Sequence, residues 1–154
     1  MKVVIKLFIG LIFTCTLTGC FAEDYDVGVP TAHLNFDISS VQLKEANISW
    51  DTASEDVQKK VEDIEKYASS LDEIKVFSDQ KVSLEFKEND KNGGDIWTDP
   101  DITVALLKDK KDTELALDDS GEFTFPSDKG KYVLKVEFIN SAGSAQYVGN
   151  VVIE

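Results

Sequence analysis

The chain has 154 residues, with 16 lysines and no arginine against 29 acidic residues, a net charge of −13, one histidine and two cysteines. Such a surface is repelled by polyanions, which argues against nucleic acid as a partner, and one histidine with two cysteines cannot supply a four-ligand zinc site. The length suits one domain with a real core.

In chain order, Lys2 and Lys6 flank the start of an apolar run from Leu7 to Leu17, the charge order of a secretory leader. The run is shorter than the roughly 20 apolar residues that a membrane-spanning helix needs. Leu17-Thr18-Gly19-Cys20 follows at the expected distance and resembles the lipobox of bacterial lipoproteins. That resemblance implies removal of residues 1–19 as a signal peptide and lipidation of Cys20 through its thiol. Acyl chains such as palmitate would then hold the protein on the extracytoplasmic face of a cell membrane, since a multiply acylated end anchors stably. An ordinary secretory leader ending near Ala22 is the competing reading, and it would discard Cys20. Cys15 lies inside the leader, so the mature chain would have no disulfide. Its 14 remaining lysines would face 29 acids, a net charge of −15 that attracts cations or basic peptides.

Residues 20–30 lack periodicity and read as a lipidated tether, with a reach of at most ~35 Å for ten residues. Residues 31–73 come next as short strands plus a helix. Leu34, Phe36 and Ile38 alternate with Asn35 and Asp37, and Val41, Leu43, Ile48 and Trp50 continue the apolar side, as in half-buried strands. Val57, Val61, Ile64, Ala68 and Leu71 then recur at helical spacing, and Thr52 with Glu55 has the spacing of a capping box. The pattern predicts one amphipathic helix over about 53–71, packed on the sheet.

From residue 74 to 154 the pattern is strands and turns, which suggests a mainly β, antiparallel sandwich. Val82, Leu84 and Phe86 alternate, Ile102 to Leu107 is denser, and Leu115, Leu117, Phe123 and Phe125 alternate again. The longest strands, Tyr132 to Ile139 and Gln146 to Ile153, are joined by the turn-forming segment from Asn140 to Ser144. Asp128-Lys129-Gly130-Lys131-Tyr132 resembles the tyrosine corner of immunoglobulin-like (Ig-like) domains. The resemblance implies that the last two strands are the sixth and seventh of such a fold. Leu134 then stands where antibody domains carry a cysteine. The chain as a whole resembles small surface lipoproteins of Gram-positive bacteria of low GC content, whose function is unknown.

Glu88, Asp90, Asn92, Asp95 and Asp99 cluster in one loop and partly echo an EF-hand calcium loop. Asp95 stands where that loop is usually apolar, and no helix flanks it, so calcium is the only cofactor worth weighing. Turn formation by Asn, Asp and Gly is the simpler account. His33, the single histidine, starts an alternating strand, and no Gly-x-Ser-x-Gly stretch occurs, so no catalytic residue is assigned. The sequence therefore points to a non-enzymatic binding or interaction module at the cell surface, whose partner is a protein, a peptide or a cell-wall ligand. The alternatives are an acidic immunity-type lipoprotein that captures a cationic peptide, and a calcium-stabilised surface module. Binding residues are not legible, and Tyr25, Trp97 and Tyr147 are the aromatics whose exposure would matter.

Overall fold

A computed structural model describes residues 28–52, 56–88 and 96–154. Eleven strands and one short helix are defined there: β1 (Thr31–Asn35), β2 (Ser40–Gln42), β3 (Lys44–Asp51), β4 (Asp56–Lys59), α1 (Ile64–Ser69), β5 (Glu73–Val76), β6 (Lys81–Lys87), β7 (Asp101–Lys108), β8 (Lys111–Leu115), β9 (Glu122–Thr124), β10 (Gly130–Asn140) and β11 (Gly143–Ile153). The small sheet runs β2-β1-β6-β9, and the large one β4-β3-β11-β10-β7-β8. All pairings are antiparallel except that of β5, which lies parallel to the end of β11. The architecture is a mainly β sandwich.

Period-two alternation puts one side chain in two between the sheets. Leu34, Val82, Leu84 and Phe86 come from the small sheet, and Trp50, Leu134, Val136, Phe138 and Tyr147 from the large one. Aromatic rings knit the layers together: Phe138 lies 4.7 Å from Phe86 and 6.1 Å from Trp50, and Phe86 lies 5.9 Å from Tyr147. Among the described residues no polar or charged residue is buried, so packing supplies the cohesion.

Tyr132 donates its hydroxyl to the carbonyl of Asp128 at 3.0 Å. This is the bond back into the preceding corner that the tyrosine-corner resemblance implies, and Leu134 two residues on is fully buried.

Four expectations need correction. The helix over 53–71 is instead strand β4 followed by α1, six residues long. Val57 faces Trp50 across the β3–β4 ladder, so backbone pairing with β3 overrides the helical period. The helix starts later, where Asp63 caps it by accepting the Lys66 amide at 2.9 Å. Val61, Ile64, Ala68 and Leu71 do share one buried face, packed on Ala46, Val133 and Val148 outside the large sheet.

The boundary at residue 73 divides nothing, because β1 pairs with β6 and β3 with β11. Ile38 is not on a buried strand face. The chain turns from Phe36 to Ser39, with the Phe36 amide donating to the Ser39 carbonyl at 2.7 Å, and Ile38 is fully exposed at the tip. The tether ends before residue 30, since Gly28 and Pro30 are buried and Val29 packs on the core.

Pro30 is held by Tyr147, whose hydroxyl donates to its carbonyl at 2.5 Å. Burial pushes the Tyr147 phenol well above its ordinary pKa. Tyr147→Phe removes the donor and strands that carbonyl, so we expect a loss of about 1–2 kcal/mol, read as a lower urea midpoint.

Candidate functional site

A recess opens on one side of the sandwich, where the chain twice changes sheets. After β2 the Leu43 amide still donates to Ala32 of the small sheet at 2.9 Å, and the next residue, Lys44, already pairs with Val148 of the large one. On the same flank of β11, pairing passes from antiparallel β3 at Val148 to parallel β5 at Asn150. Gly149 lies between. A Cβ there would come within 2.9 Å of Leu43 Cδ2 and 3.0 Å of Ile74 Cδ1, so the bare glycine lets those two side-chain ends close over the strand and a methyl group would push them aside.

The result is a cleft of about 630 Å³ with β2 on one wall, β5 on the other and Val148 to Asn150 as its floor. That volume is within the usual range of ligand sites. Phe36, Val41, Leu71 and Ile74 provide apolar lining.

Both walls are strand edges. The bonds from Leu43 to β1 and from Phe36 to Ser39 turn the odd-numbered residues of this segment toward β1, so the backbone groups of Ser40 and Gln42 point outward. The Val76 carbonyl accepts the Glu154 amide at 2.9 Å, which turns Val76 and Ile74 toward β11 and leaves the backbone of Glu73 and Lys75 on the outer edge. Their side chains are engaged elsewhere: Glu73 with Lys131 at 2.5 Å and Lys75 with Glu154 at 3.0 Å. Those partners lower the Glu73 pKa and raise that of Lys75. Both pairs are exposed and contribute little to stability. Beside the cleft stand the two most exposed large apolar residues of the described structure, Ile38 next to Ser39 and Phe77 directly after β5, at 100% and 70% exposure.

The residues singled out in the sequence are scattered relative to this cleft. Cys20, Tyr25, Asp90, Asn92 and Asp95 lie outside the described residues, while Glu88 and Asp99 are exposed at the two flanks of their loop. Among the described residues no group of three or more His, Cys, Asp or Glu side chains could hold a metal ion. His33 sits on β1 with Nε2 2.9 Å from Thr31 Oγ1. Burial first, then Lys87, lower its pKa, with Glu85 acting in the opposite direction. Trp97 is half exposed, but Tyr147 is fully buried and offers no surface. The cleft itself gave no signal in the sequence, because its walls come together only through the sheet changes at Leu43 and Gly149.

The acidic turn after Leu117 is self-contained. Asp118 Oδ1 accepts from Ser120 Oγ at 2.7 Å, Glu122 N at 2.9 Å and Ser120 N at 3.0 Å, and Lys81 bridges Asp118 and Glu122. The Ser120 hydroxyl and the Glu122 amide are the main causes that hold the Asp118 carboxyl at about 2, below its ordinary 3.8. A folded-state pKa below the unfolded one means stability present above about pH 4 and lost as the pH falls toward 2. Asp118→Asn should flatten that stretch of the stability profile, measured by urea unfolding at each pH.

Fold and cleft together define a β-sandwich with an open side. No protein family, curated protein or solved structure matches the chain.

Proposed function

We propose that this protein is a lipoprotein anchored through Cys20 on the extracytoplasmic face of a cell membrane, where its sandwich serves as a non-enzymatic binding module. The observation that carries the binding role is the cleft between two strand edges that pair with no further strand among the described residues, flanked by exposed Ile38 and Phe77. Exposed apolar side chains beside a recess are a common mark of an interaction site. The anchor rests on the lipobox-like Leu17-Thr18-Gly19-Cys20 behind a basic and apolar leader. The seven residues between Cys20 and Gly28, the first described residue, can span at most about 25 Å. The finer architecture we infer is Ig-like. It is supported by β10 lying between β7 and β11, by the β6–β9 pair, by β5 parallel to β11 and by the Tyr132 bond.

A change of Cys20→Ser tests the anchor. We expect the protein to leave the membrane fraction and to lose incorporation of a labelled fatty acid, and retention of both would overturn this part of the reading. The net charge of −15 after cleavage favours a second reading, capture of a cationic peptide. Unchanged sensitivity to such peptides on deleting the gene would rule it out. Near the cleft Lys44 and Lys75 balance Asp72 and Glu73, so that attraction would be a property of the whole surface.

A further inference from the structure

We propose that the cleft takes one extended peptide segment of a protein partner, added as a strand to the outer edge of β5, with its alternate apolar side chains lodged against Val41 and Ile74 on the side facing the small sheet. This rests on the binding-module reading above and gives that reading a partner class.

Three observations favour a polypeptide over a sugar or an acyl chain. First, the β5 edge presents the amide and carbonyl of Glu73 and Lys75 at a two-residue interval, about 6.6 Å, a spacing that an extended backbone matches. Main-chain bonds of this kind give affinity, and pockets for every second side chain give selectivity. Second, the recess is closed by β2 on the other side. One face of a strand added to β5 would therefore pack against β2 and be withdrawn from water. Third, Glu73 and Lys75 are already paired with Lys131 and Glu154, so the groove-facing positions call for apolar residues rather than a charge. Ile38 and Phe77 extend that apolar surface past the two walls.

The other strand edges differ. The β8 edge has the same outward backbone geometry, but Lys111 to Glu114 are all exposed and none of the described recesses combines it with a second strand edge. Charged, solvated edges of this kind discourage pairing.

The test uses the purified full-length protein in detergent micelles, so its outcome does not depend on whether the anchor reading holds. The probe is a random twelve-residue peptide library displayed on phage, followed by synthetic copies of the enriched peptides. Lys75→Pro removes the outward N–H of β5 and leaves the ladder with β11 intact, a position where proline is tolerated. Glu114→Pro makes the same change on the β8 edge, and Phe77→Ser removes apolar surface without touching any ladder. We expect enriched peptides with apolar residues at alternate positions. Their affinity should fall at least tenfold with Lys75→Pro, fall several-fold with Phe77→Ser and stay unchanged with Glu114→Pro. The Glu73 and Lys75 amides should gain protection from hydrogen exchange when peptide is bound. A library that yields no binder, or binders indifferent to Lys75→Pro, would overturn the proposal. So would a dimer of the protein that Lys75→Pro dissolves, or displacement of the peptides by a free fatty acid.

Discussion

Phe138→Ala is expected to lower stability by about 4 kcal/mol, a large part of the 5–15 kcal/mol typical of a domain. Phe138 lies on central strand β10, paired with Ala145 on one side and Ile102 on the other. Its ring meets Phe86 of the opposite sheet and Trp50 of its own. Truncation therefore opens a void between two layers whose backbones are fixed by ladders on both flanks, so little collapse can fill it. For a domain of this size the melting temperature should drop by roughly 15 °C. Phe77→Ala removes the same side chain from a position 70% exposed and should move stability by no more than about 0.5 kcal/mol. A loss below about 2 kcal/mol at Phe138 would show that the aromatic cluster is not the centre of cohesion.

Gly143→Ala should be nearly as damaging, for a reason unrelated to burial of apolar surface. Gly143 opens β11 at φ +152° opposite Trp50. An added methyl carbon would overlap the Ser49 carbonyl oxygen and lie 2.8 Å from Trp50 Cα. Both obstacles are backbone, so no rotamer change can clear them. Either β3 and β11 part at this end or the strain is retained, and we expect about 3 kcal/mol of destabilisation. Chemical denaturation should show a lower midpoint with an unchanged slope. An alanine variant within 1 kcal/mol of the parent would mean that the two strands separate freely there.

Much of the sandwich was legible because strand alternation is a local signal. Val82, Leu84 and Phe86 turn inward as their spacing demands, and Tyr132 makes the bond its sequence neighbourhood suggests. Residues 53–71 misled for a physical reason. Spacings of three and four place Val61, Ile64, Ala68 and Leu71 on one face, and that face is indeed packed. But Val57 belongs to a strand that pairs with β3, opposite Trp50, and the spacing of its own apolar residues carries no mark of that pairing. Ile38 failed similarly: it continues the apolar alternation of Leu34 and Phe36, yet a turn ends the strand before it. The cleft was invisible because its two walls are separated by more than 30 residues, and only the change of partner along β11 brings them together.

That shared strand has a consequence for how the molecule comes into being. β11 is the final element of the fold, and β10, β3 and β5 all bond to it. During synthesis β3 and β5 emerge long before their partner and must wait, unpaired on that flank, until residue 153 is available. Non-local pairing of this kind delays folding. A chain passing N-terminus first through any narrow channel would thus stay threadable until β11 has emerged. Loss of β11 by truncation would leave three strands without a common neighbour, so a stable shortened form of this sandwich is not expected.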